Sequence, residues 1–226
     1  KVLRDAVMYS LNGEEILNAA RGNSGEVLSG LATDYWYRQS VQEKAYYSFN
    51  KEMAVQMLVE AGYPAGQKLA EIPLYCGETE EDQIAAAKIV ENLGARGIKV
   101  NAYPLPQKDL RKMIKNGEAA FFTGVFSAKS TELEDFFREQ IDSRWQKTIS
   151  NPAWDELLDL AGEQDQAMRL NLYRQLEKEV IGDARIRYLY SYKSAVAVSE
   201  RLENFQQGPG SAVPLNEVRF KERTAD

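Results

Sequence analysis

Apolar side chains recur along this chain with two alternating periods, one near 3.6 residues and one near 2. Between Asn50 and Gly66, Ala54, Met57, Leu58 and Ala61 fall at i, i+3, i+4 and i+7, which is one apolar face of a helix. Asn50 can cap that helix with its side-chain oxygen, and Glu52 puts negative charge where the macrodipole favours it. Gly62 supplies a left-handed residue at its end, and Pro64 blocks continuation. Upstream, residues 2–11 predict a helix through Val2, Ala6 and Val7, and Asn12 with Glu15 forms a capping box that opens a second. From Gly22 to Ser48 the period dissolves into Gly, Ser and aromatics, which predicts a long loop carrying Tyr35, Trp36, Tyr37, Tyr46 and Tyr47.

Between Leu69 and Gly124 strand and helix signals alternate. Ile72–Cys76 reads as a strand, and Glu80–Leu93 as a helix with Ala85, Ile89 and Leu93 on one face. After Gly94 and Gly97, Ile98–Tyr103 is a second strand, and Gln107–Lys115 a short helix ended by Asn116-Gly117. Ala119–Val125 is a third, apolar strand, expected to be buried on both faces. Such a β-α-β-α-β run implies a small parallel sheet with right-handed crossovers. Thr131 and Glu134 predict another capping box, before a helix with Leu133, Phe136 and Phe137. Asn151-Pro152 is a helix start, and Met168, Leu172, Leu176 and Val180 define a long amphipathic helix. Ile186, Tyr188, Tyr190 and Tyr192 then alternate with Arg185, Arg187, Leu189 and Ser191 as a strand, with Ala195–Ser199 as its partner or continuation. From Glu200 onward, Gly208-Pro209-Gly210 and Pro214 make a turn-rich tail. The fold class is α/β, with helices on both faces of the sheet.

Composition narrows the chemistry. The 226 residues are 44% hydrophobic and 27% charged, ordinary for a soluble globular protein and enough for one generous domain or two small ones. A net charge of −6 argues against a nucleic-acid partner, which needs concentrated positive surface. No apolar run approaches the roughly 20 residues of a membrane-spanning helix. The start at Lys1-Val2-Leu3-Arg4, without Met or a signal peptide, leads us to expect a piece of something longer. With no histidine, Ser-His-Asp and Cys-His catalysis are closed, and Cys76 is the one soft metal ligand. Neither a cofactor, a metal site nor catalytic residues are expected, so the chain reads as a non-enzyme. Cys76 reads as a small buried hydrophobe, and Glu78 to Asp82 as an acidic helix N-terminus matched to its dipole. The glycines from Gly62 to Lys68 and from Gly208 to Gly210 lack phosphate-loop spacing or context and read as turns.

The wording of several segments resembles one family. Asn50–Gly66, ending in Ala61-Gly62-Tyr63-Pro64, is similar to a helix signature of the family 5 extracellular solute-binding proteins, the peptide- and nickel-binding receptors of ABC importers. Val2-Leu3-Arg4-Asp5-Ala6 with Tyr9-Ser10-Leu11-Asn12 resembles that family's opening of its second lobe, and Gly97-Ile98-Lys99-Val100 one of its strands. Asn151-Pro152 through Leu158, Arg169 with Tyr173, and Ile186–Tyr192 follow in the family's order. The resemblance implies a periplasmic-binding-protein-like lobe with a small, mainly parallel sheet flanked by helices. It implies residues 1–199 as the second lobe and residues 200–226 as a C-terminal return towards a first lobe that precedes this segment. It further implies an extracytoplasmic, monomeric receptor, secreted or lipid-anchored, which holds an oligopeptide or other small polar solute between two lobes and delivers it to a membrane permease.

In peptide-binding members the ligand pairs as an extended strand with second-lobe backbone, a mode in which main-chain hydrogen bonds supply affinity. Gly124-Val125-Phe126-Ser127 matches the family's glycine-tryptophan-x-alanine segment, so the resemblance nominates Gly124, Val125, Phe126, Ser127 and Ala128 as ligand-binding. The rule that ligands sit outside the carboxyl ends of parallel strands favours the same place, although the end of a buried strand explains Gly124–Phe126 equally well. Tyr35 and Trp36 of the aromatic loop and Tyr190 of the tyrosine strand are further candidates, against roles as loop staples and sheet cover. Ala128 and Lys129 stand where peptide binders carry an Asp-Pro pair that neutralises the peptide's amine. A blocked peptide, a differently anchored one and a non-peptide solute therefore stay open, as does a sensory or protein-interaction module that keeps the lobe without transport.

Overall fold

A computed structural model describes residues 1–22, 24–28, 30, 47–125, 133–144, 147–149, 151–192, 196–206, 213 and 215–221. Helix α1 (Val2–Ser10) leads through a short corner into α2 (Gly13–Arg21) and packs against α3 (Lys51–Glu60). Asn12 and Asn50 cap α2 and α3 as their sequence predicts, accepting from the N–H of Glu15 at 3.4 Å and of Met53 at 2.9 Å. Gly62 ends α3 at φ 86°, and the turn Pro64–Gly66 follows. Beyond it, the parallel strands β2 (Ile72–Gly77) and β3 (Val100–Leu105) pair from Ile72 with Val100 through Gly77 with Leu105. The helix between them, α4 (Glu80–Gly94), packs on both strands and on α2, and α5 (Gln107–Asn116) follows β3. Asn92 of α4 accepts from the Asn12 N–H at 2.7 Å, tying α4 to the corner between α1 and α2.

The remaining helices are α6 (Leu133–Ile141), α7 (Pro152–Gly162, capped by Asn151) and α8 (Gln166–Gly182). Two main cores result. Ala6, Leu11, Ile16, Leu58, Leu74, Ile89, Leu93 and Ile98 form the first, and Phe137, Ile141, Trp154, Leu158, Tyr173, Leu176 and Val180 the second. Phe121 packs against the first core and Phe122 against the second, so two adjacent side chains stitch them together.

Four expectations are corrected. Ala119–Val125 is not a doubly buried strand: it meets β2 through the single bridge Tyr75–Phe122, and Phe121 to Thr123 are half-buried while Gly124 and Val125 are exposed. Its adjacent phenylalanines do face different cores, as alternation in an extended segment allows, but the segment pairs with β2 only at that bridge and turns out to solvent from Gly124. α8 buries Leu176 and Val180 as expected, together with Tyr173 and Ile181, but Met168 is 50% exposed and Leu172 only partly buried. A strict four-residue repeat drifts about 40° per step around a helix of 3.6 residues per turn, so Met168 has rotated off the face. Only Tyr190–Tyr192 of the tyrosine run is a strand, β4, and its antiparallel partner β1 (Gly25–Val27) lies inside the stretch expected to be loop. Finally, the tail contains a short ribbon, β5 (Leu202–Glu203) with β6 (Arg219–Phe220). Residues 196–199 join no strand, and Ala195 lies outside the described residues.

One backbone crossing is tight enough to test. Gly66 and Gly97 both adopt left-handed φ, 70° and 80°, and a Cβ on either would collide with the other loop's carbonyl oxygen. Gly97→Ala is expected to cost about 1–3 kcal/mol, because strain and collision add and neither neighbour is a yielding side chain. Chemical denaturation checks it, and an unchanged midpoint would contradict the crossing.

Candidate functional site

The carboxyl ends of the parallel strands open where three pieces of chain meet. At the end of β2, Gly77 lies directly against the Asp82 carboxylate, and a side chain there would occupy the space of Asp82 Oδ2. Thr79 caps α4 by accepting from the Asp82 N–H at 3.2 Å, and its hydroxyl donates to Asp82 Oδ2 at 2.7 Å. The acidic run is therefore a satisfied helix start. Beside it the Tyr75 N–H donates to the Phe121 carbonyl at 3.0 Å, and the Thr123 N–H to the Tyr75 carbonyl at 2.9 Å. Past Thr123 the backbone leaves the sheet, and Val125 is 46% exposed. Thr123 Oγ1 is sealed from solvent without a hydrogen-bond partner.

Tyr190 borders this mouth. It packs against the first core beside Phe121 and Ile84, and burial raises its phenol above the ordinary range, with Arg21 opposing and Asp82 reinforcing the rise. Its position follows from β1–β4 pairing, in which Val27 faces Tyr190 and Gly25 faces Tyr192. Gly25 has a specific reason: a Cβ there would run into the Ser191 carbonyl oxygen. Arg21, at the end of α2, stacks 3.9 Å from the Tyr192 ring centroid and pairs with Glu81 at 2.5 Å. That arginine clamps α2, β4 and the start of α4 together. It was not among the residues singled out from sequence, because its partners lie 60 and 171 positions away by residue number.

Gly124 and Val125 thus follow directly on the bridge to β2, and Tyr190 lies on β4 within electrostatic reach of Asp82. Tyr35, Trp36, Phe126, Ser127 and Ala128, with Lys129, lie outside the described residues. Cys76 is fully buried and burial pushes its thiol up, which suits the expected small hydrophobe and an unreactive sulfur. Among the described residues no group of His, Cys, Asp and Glu could hold a metal ion, and no helix is long and apolar enough to cross a membrane. Two surface grooves lie elsewhere. One of about 410 Å³ is lined by Lys115, Arg138, Asp142 and Arg144, and one of about 350 Å³ runs past Glu71, Gly97 and Asn101. In the first, Arg138 and Arg144 are matched by Asp142 and by Asp159 of α7, and neither groove includes a nominated residue.

Comparison with known proteins gives a consistent result. The family model "Bacterial extracellular solute-binding proteins, family 5 Middle" matches residues 1–147. The chain is 25% identical over 219 residues to heme-binding protein A of Haemophilus influenzae, covering 92% of this chain and 39% of that relative. Among solved structures, it superposes on the oligopeptide-binding protein AppA of Bacillus subtilis, in complex with a nonapeptide. The TM-score is 0.81 at 19% identity, over 98% of this chain and 47% of the other. The binding protein AgaA of A. tumefaciens R10, in complex with agropinic acid, gives 0.80 at 21% identity, over 98% and 48%. These structures share the fold, and the chain spans less than half the length of each protein named.

Proposed function

Because the chain belongs to the bacterial extracellular solute-binding proteins of family 5, which are binding proteins and not enzymes and act outside the cytoplasm, we propose that it is one lobe of a two-lobe receptor for an ABC importer. In this reading residues 1–199 form the second lobe, residues 200–226 return to the first, and an oligopeptide or similar small polar solute is held between the two. The β5–β6 ribbon suits a return segment, since Leu215 and Phe220 are 75% and 74% exposed and would be covered by the other lobe. The captured solute passes to the membrane permease.

One observation carries the ligand mode. The Thr123 N–H is spent on Tyr75, and because successive N–H groups of an extended chain alternate in direction, an extended Gly124 would turn its N–H away from β2. An extended ligand added there would pair with Gly124 and Phe126, and Tyr190 would wall the mouth. Gly124→Pro, which removes that donor, is expected to weaken peptide binding by the full-length receptor roughly tenfold, while Val125→Ala leaves it near wild type. Calorimetry with a mixed peptide library reads both. An absence of heat with the wild-type receptor would sink the peptide version, and equal losses in both variants would sink the backbone mode.

A further inference from the structure

Half-buried arginines in this fold have identifiable acceptors. Arg21 pairs with Glu81, Arg138 with Glu134, Asp142 and Asp159, and Arg169 donates to the carbonyls of Ala161 and Gln164. Arg187, between α8 and β4, differs. A sealed Nε is shared with Arg96 and Arg174, but those two donate through a terminal nitrogen to the Ala95 carbonyl and to Asn171 Oδ1, whereas among the described residues no group accepts from Arg187. The next residue repeats the pattern, for the Tyr188 hydroxyl is also sealed and unpartnered.

The acids of α1 and of the last turns of α8 are engaged elsewhere. Asp5 receives the Tyr47 hydroxyl at 2.6 Å and the Lys1 ammonium at 3.2 Å. Asp183 receives Arg4 at 3.1 Å and also pairs with Arg185. Glu177, the acid that acts on Tyr188, lies against Gly30. Burial holds the Arg187 guanidinium below the ordinary arginine range, and Tyr47 is the ionisable group set against it. A charge withdrawn from water without a partner is costly, and native folds supply one.

We infer that Arg187 is a carboxylate-binding position that takes its anion from beyond the described residues, either from the other lobe of the full-length receptor or from a free carboxylate solute. The inference rests on the two-lobe reading only for the first source. A guanidinium with its Nε withdrawn presents its terminal nitrogens to a carboxylate as a planar fork, which lysine cannot reproduce.

Two arms test this. In the first, the thermal midpoint of the 226-residue chain is measured in sodium acetate and in sodium chloride at equal ionic strength. A free-solute site predicts that acetate raises the wild-type midpoint by about 2–4 °C, the size of shift expected near 1 kcal/mol for a chain of this length, and leaves Arg187→Met unmoved. In the second, Arg187→Met and Arg187→Lys are compared in this chain and in the full-length receptor, both in chloride. A carboxylate on the other lobe predicts a reversal of sign. Arg187→Met leaves the chain's midpoint equal or higher, because an unpaired charge is gone, but lowers that of the full-length receptor, and Arg187→Lys recovers part of the loss. Either result supports the inference and names the source. No acetate response, together with an equal fall in both proteins, overturns it and leaves Arg187 as a packing side chain. A receptor that shows the reversal yet binds no peptide refutes the peptide reading while keeping this one.

Discussion

Asp142→Ala is expected to destabilise the protein by about 3 kcal/mol, the lower end of what breaking a buried ion pair costs. Asp142 has no exposed side-chain surface, and it accepts from the Arg144 N–H at 2.8 Å, from Arg144 Nη2 at 2.6 Å and from Arg138 Nη1 at 3.4 Å. Removing it takes the buried acceptor from two guanidinium groups, which keep Asp159 and, for Arg138, Glu134, and this remaining pairing sets the lower end. Thermal denaturation should fall by roughly 6–12 °C. The pH dependence has a definite sign. Burial alone would raise the Asp142 carboxyl, yet hydrogen bonds and charge from Arg144, with a hydrogen bond from Arg138, hold it below the ordinary carboxylate range. A depressed folded value contributes stability above the unfolded value of about 3.9, lost as pH falls through the depressed one. Wild type and variant should therefore differ fully at neutral pH, begin to converge near pH 4 and meet only below the depressed folded value. A gap that did not narrow at all below pH 4 would assign the loss to packing.

Phe137→Ala should cost about 3–5 kcal/mol, since it empties a fully buried aromatic site. The ring stacks on Tyr173 at 5.3 Å between centroids and 20° between planes, at the centre of the second core. Tyr173 is itself held in place, its hydroxyl donating to Glu134 at 3.4 Å, and burial with the Glu134 charge pushes its phenol up to about 12. A cavity there cannot collapse easily, so Phe137→Leu should recover much of the loss. Because Phe121 and Phe122 join the cores back to back, the unfolding transition should stay single and shift as a whole. Denaturant unfolding followed by tyrosine fluorescence and by circular dichroism would show it. Two separated transitions, or a loss below about 1 kcal/mol, would contradict the account.

The helices were largely legible because their signals are local. Asn12, Asn50 and Asn151 each cap the helix they precede, and Gly62 and Gly117 each end one in a left-handed conformation. The parallel pair β2–β3 also followed from adjacent signals, a strand, a helix and a strand in succession. The antiparallel β1–β4 pair did not. Its three residues between Gly25 and Val27 carry no strand period, and they are extended because Ser191 and its neighbours, far along the chain, offer hydrogen bonds. The clamp of Arg21 on Tyr192 and Glu81 was invisible for the same reason.

The nominated site divides in the same way. Gly124 and Val125 could be proposed from their wording and their place after a strand, but not how little of that strand the sheet would hold. Tyr190 could be proposed as an aromatic on a strand face, whereas its position beside Asp82 and Arg21 depends on three elements meeting. The sequence by itself determined the element order, the caps and the family wording, because these depend on interactions within a few residues. Tertiary structure alone decided which apolar face α8 buries, which acids are spent on which arginines, and that Arg187 is left without one. Those outcomes depend on which groups long-range packing removes from water, and a linear pattern carries no record of that.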